Sequence, residues 1–151
     1  MKLRSILFNE KNTTMPIAYT AIVLTKEYRD RLLEAISPEY MEGKKDWELI
    51  LHHVTLNMGP YKGNREEDLG RMVAFSTRTY LEDDKVSAVS VQLPGFITSQ
   101  NAHPHITVAV NRAAGGKPVM SNNLPWGNSE DERPFAWDLE GTLEEVPQQK
   151  K

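Results

Sequence analysis

The sequence predicts an α+β domain in which most elements are strands, one is a helix, and two similar strands suggest related lobes facing each other across a cleft. Three observations lead there. Apolar and polar residues alternate over much of the chain, as in half-buried strands, and only residues 26–36 space their apolar residues as a helix does. The stretch His53-Val54-Thr55-Leu56 returns 52 residues later as His105-Ile106-Thr107-Val108. No low-complexity segment or linker divides the 151 residues, so they make one domain's worth of chain.

Residues 1–15 show no period and read as an N-terminal arm, leaving 16–147 as the domain and 148–151 as a tail. Residues 17–24 (IAYTAIVL) are apolar and β-favouring, a first strand. Thr25 is an N-cap, and Tyr28, Leu32, Leu33 and Ile36 form a helical stripe that Ser37-Pro38 ends. A charged connection containing Trp47 leads to the first motif strand, 49–57. The turn residues Gly59-Pro60 follow, and then two alternating runs, 71–80 and 85–93, joined by Glu82-Asp83-Asp84 as a hairpin. Residues 103–111 are the second motif strand. A Gly-rich loop around Gly115-Gly116 follows it, and 135–146 is a last strand.

In each motif the His and the Thr lie two apart and therefore share one face of a strand, while the aliphatics take the other. The chain has four histidines, His52, His53, His103 and His105, and all lie in or beside these strands. Histidine is the side chain best placed to exchange protons near neutral pH. Phosphodiester hydrolysis needs a base for the nucleophile, an acid for the leaving oxygen, and donors for the non-bridging oxygens. His53 and His105 supply the first two, Thr55 and Thr107 the third, and the scheme uses no metal or other cofactor. Strand alternation turns His52 away from His53.

Other chemistry is narrowed by what is missing. The chain has no cysteine, so disulfides, thiolate metal sites and a cysteine nucleophile are excluded. A net charge of −3 argues against a protein that coats long nucleic acid, though not against one that binds a small phosphorylated ligand or one RNA end. No apolar run approaches a membrane span and the first residues are too briefly apolar for a signal peptide, so the expected compartment is the cytoplasm. Gly115-Gly116-Lys117 lacks the spacing of a phosphate-binding loop. His103 and His105 have a spacing that strand-borne zinc sites use, but neither motif contains an acidic residue. The acidic residues of 130–145 read as solvated surface. Tyr19, Trp47 and Trp126 are candidate faces for stacking a base, with core or rim packing as the plainer reading of each.

The paired motifs resemble those of the 2H phosphoesterase superfamily, and within it the cyclic phosphodiesterase domain of plant and fungal tRNA ligases. Ile36-Ser37-Pro38, Asp83-Asp84-Lys85, Ser121-Asn122 and Leu124-Pro125 add to the likeness, which spans residues 19–126. The resemblance implies a single bilobal α+β domain with antiparallel sheets flanking a central cleft. It implies His53, Thr55, His105 and Thr107 as catalytic residues, and Tyr19, Ser121 and Trp126 are the candidates for binding substrate. The segment after the second motif departs from the family's pattern, because it is rich in Gly, Pro and Asn where many members have a helix.

The expected activity is metal-independent hydrolysis of a 2′,3′-cyclic phosphate, on a nucleotide or an RNA end, to a 2′-phosphate by a monomer. Two alternatives remain open at this stage: hydrolysis of a cyclic di- or oligonucleotide signal, and a nucleotide-binding module without turnover.

Overall fold

The computed structural model describes residues 16–63 and 65–148, so the N-terminal arm and most of the tail lie outside the described residues. Its elements follow the sequence order closely. β1 (Ile17–Leu24) is the first strand, and α1 (Lys26–Ile36) begins where Thr25 caps it, the Thr25 side chain accepting from the Tyr28 N–H. α1 buries Leu32 and Ile36 in the main core, each contributing about 1.5–3 kcal/mol by leaving water. The expected first motif strand divides into β2 (Glu48–Leu49) and β3 (His53–Met58). β4 (Met72–Glu82) and β5 (Val86–Gln92) form the hairpin, and β6 (His105–Val110) is the second motif strand. β7 (Arg133–Pro134) is a short pairing onto β4, and β8 (Asp138–Pro147) is the last strand.

The bilobal α+β expectation is overturned. The strands run β6-β3-β1-β8-β4-β5 and β5 pairs again with β6, closing six antiparallel strands into one barrel with β2 and β7 added at its rim. The domain is mostly β, with one α-helix, of 11 residues, among those described. The physical reason lies in β6, which pairs on one side with β3 at Val54↔Ile106 and on the other with β5 from Val86↔Val110 to Ser90↔His105. A strand shared in this way cannot belong to two separate lobes, and closure also removes the exposed edges that two open sheets would carry.

The barrel interior is filled from every wall strand, by Ile22, Val54, Leu56, Val73, Val89, Ile106, Val108 and Leu143 among others. The wall is tight where β8 crosses β1: a Cβ on Gly141 would stand 2.6 Å from the Val23 carbonyl oxygen. A second, smaller core of Leu81, Val86, Ala88, Val110, Leu124 and Trp126 lies apart from the first. It holds down the segment after β6, which forms turns of 3-10 helix at Arg112–Ala114 and Pro118–Asn123. No helix of the described residues is long and apolar enough to cross a membrane.

Candidate active site

The two motif strands are neighbours, and their pairing is irregular where the histidines lie. Glu48↔Val110 and Leu49↔Ala109 set one register, and Val54↔Ile106 sets another. From Leu49 to Val54 is five residue steps, against three from Ala109 to Ile106, so the first motif strand carries two extra residues. The chain accommodates them at Leu51, whose φ of +47° is left-handed and uncommon for a branched residue. Leu51 is held there by burial of its side chain, by its N–H to the Thr107 carbonyl, and by Arg29, whose Nε donates to the Leu51 carbonyl. Bulges of this kind re-aim side chains.

Beyond the bulge, alternation resumes. Val54 and Ile106 point into the barrel with no exposure, which places His53, Thr55, His105 and Thr107 on the outer face around that pair. All four side chains line one cavity of about 480 Å³. Its walls come from Ile50, Leu56, Asn57 and Met58 on the first-motif side, and from residues 100–102 with Pro118, Val119 and Asn122 on the other. None of its lining residues is Lys, Arg, Asp or Glu, so among the described residues the histidines are the groups there that can carry charge.

Each imidazole is held at Nδ1 and backed by an aromatic ring. His105 Nδ1 lies 2.8 Å from the His103 carbonyl oxygen, which only accepts, so Nδ1 carries the proton and Nε2 is left for the cavity. His53 Nδ1 lies 2.9 Å from Nδ1 of His52. Tyr19 stacks on His53 at 4.9 Å between ring centroids, and Trp126 stacks on His105 at 5.8 Å. Burial, then the His52 and His105 rings beside it, push the His53 pKa down to about 4. Burial also lowers His105, against the pull of the His103 carbonyl. Both shifts favour the neutral form of the ring. An anion placed between them would draw protons onto them, since an opposite charge within a few ångströms favours the charged form.

The hydroxyls differ. Thr107 Oγ1 is 2.9 Å from Ser121 Oγ, whereas Thr55 has no side-chain hydrogen bond among the described residues. Tyr19, Ser121 and Trp126, expected to touch substrate, stand behind the motif residues and do not line the cavity. Ser121 is fully buried against Thr107, and Trp126, 3% exposed, donates Nε1–H to the Ser121 carbonyl. Trp47 packs on the main core beside Lys44. His103 is exposed and offers its carbonyl rather than its ring, and among the described residues no three His, Asp or Glu gather as metal ligands would.

Alternation also fails for His52. It is exposed but not turned away from His53, because the left-handed Leu51 just before it leaves His52 outside β3, where strand alternation does not apply. The amide side chains Gln100, Asn101 and Asn122, with the apolar Met58 and Val119, are cavity residues that the sequence reading did not single out as a site. No periodicity marks them: Met58 ends β3, Val119 and Asn122 lie in the 3-10 turn after β6, and Gln100 and Asn101 come from a loop placed by distant bonds, Gln100 N–H to the Leu56 carbonyl and Asn101 Nδ2 to Asn122 Oδ1.

No family model matches the chain, and no curated protein matches it. Among solved structures, a crystal structure of a fungal RNA kinase shares the fold with a TM-score of 0.54 and 16% identity. The match covers 84% of this chain and 44% of that one, so this chain spans less than half the length of its structural neighbour.

Proposed function

We propose that the chain is a phosphodiesterase that opens a 2′,3′-cyclic phosphate on a nucleotide or an RNA end. The observation that carries this reading is the convergence of His53, Thr55, His105 and Thr107 on one cavity from two adjacent strands. One histidine takes a proton from water as its oxygen attacks phosphorus. The P–O3′ bond breaks opposite the attack, and the second histidine delivers its proton to O3′, leaving a 2′-phosphate. The threonine hydroxyls face the non-bridging oxygens on which charge builds.

The lining without Lys or Arg suits a singly charged cyclic diester better than a nucleoside triphosphate, whose transfer chemistry relies on cationic side chains and a metal. A fold shared with an RNA kinase is in keeping with work on RNA ends. The test is turnover of 2′,3′-cyclic nucleotides, a cyclic-phosphate RNA end and cyclic dinucleotides, side by side in chelator. A 2′-phosphate product supports the proposal. Turnover of cyclic dinucleotides alone moves the substrate to a signal nucleotide, and binding without turnover leaves a nucleotide-binding module.

A further inference from the structure

His52 is the neighbour that the two extra residues of the first motif bring onto His53. Its ring is exposed, stands edge-on to His53 with centroids 5.1 Å apart, and its Nδ1 is 2.9 Å from His53 Nδ1. One of the two nitrogens carries the hydrogen. A neutral imidazole in water prefers its proton on Nε2, and His52, open to solvent, can follow that preference and keep a lone pair at Nδ1. The His53 side requires the same arrangement. As a neutral base His53 needs Nε2 bare and Nδ1 protonated; as an imidazolium acid it has hydrogens on both nitrogens and can only donate. An acceptor at His52 serves both charge states, and a donor serves neither.

We propose that His52 is a positioning residue for His53, accepting the Nδ1–H bond and so presenting Nε2 of His53 to the cavity. The effect on turnover rests on the phosphodiesterase reading above; the effect on the ring does not. The His103 carbonyl does the same for His105, with the difference that main chain cannot be substituted away. His52 can be.

The test uses the ring ¹⁵N signals of His53 together with turnover of a 2′,3′-cyclic nucleotide, in the wild type, His52→Ala and His52→Asn. The Asn carboxamide oxygen takes the place of Nδ1 along the side chain and accepts as it does. The wild type should show the Nδ1–H form of His53. His52→Ala should shift it toward Nε2–H and lower turnover roughly tenfold, within the range by which positioning groups act. His52→Asn should restore both. A His53 tautomer that is Nε2–H in the wild type, or unchanged in His52→Ala, overturns the proposal even if turnover is normal. A tautomer that shifts and returns in a protein without turnover supports the positioning role and fails the phosphodiesterase reading instead.

Discussion

The two half-sites present the same residues on the same barrel wall but are built differently. The second is set by main chain and core: His105 is held by a carbonyl, its ring lies on a buried tryptophan, and Thr107 is paired with a buried serine. The first is set by side chains near solvent. His53 is held by an exposed histidine and backed by a half-buried tyrosine, and Thr55 has no side-chain hydrogen bond among the described residues. The second half-site is therefore pre-organised by the fold, while the first depends on groups that single substitutions remove without disturbing the core. Equal motifs need not be equally rigid, and their surroundings show which is which.

The largest effects should not separate the halves. His53→Ala and His105→Ala should each lower turnover by roughly 10²–10⁴-fold, as expected for losing a general acid or base. Single-turnover rates on a 2′,3′-cyclic nucleotide check this. Full activity in both folded variants would remove the paired motif from the chemistry.

The threonines should begin to separate them. Alanine at either position removes one oxyanion donor and should cost about 10²-fold. Serine keeps the hydroxyl, and at 107 the Ser121 hydroxyl still orients it. Thr107→Ser should then retain most of its rate, while Thr55→Ser loses several-fold. Equal losses in the two serine variants would show that Ser121 does not pre-organise its neighbour.

Acid should report on the first half-site. His53 has its folded pKa lowered from 6.5 to about 4, so between those values the unfolded chain binds the proton that the folded one refuses. Its contribution to stability is complete above 6.5 and is lost as pH falls toward 4. Denaturant midpoints across this window should fall with pH, and less steeply in His53→Gln. An identical slope in the variant would assign the acid sensitivity elsewhere.

The smallest contrast is in the backing rings. Trp126→Leu strands the buried Ser121 carbonyl and should cost about 1–3 kcal/mol of stability by chemical denaturation. Tyr19→Leu, at a half-buried ring, should cost less. The reverse order would mean that the first half-site is the more tightly packed one.

The sequence by itself determined the local elements and the facing of most motif residues. Thr25, the stripe through Leu32 and Ile36, the apolar, β-favouring run of 17–24 and the alternation of the hairpin are patterns within one segment, and each became the predicted element. Period 2 likewise placed His53 with Thr55 and His105 with Thr107, because their neighbours Val54 and Ile106 had to be buried. What the strands would pair with was not local. β6 pairs with both β3 and β5, so a closed barrel formed where similar motifs had suggested two lobes. The same pairing left the first motif two residues too long, and Leu51 absorbed the excess by turning left-handed under a buried side chain. That rotation brought His52 onto its neighbour. Periodicity reports which way a side chain leaves its own strand; the register between strands decides what it meets, and only the folded chain fixes that register.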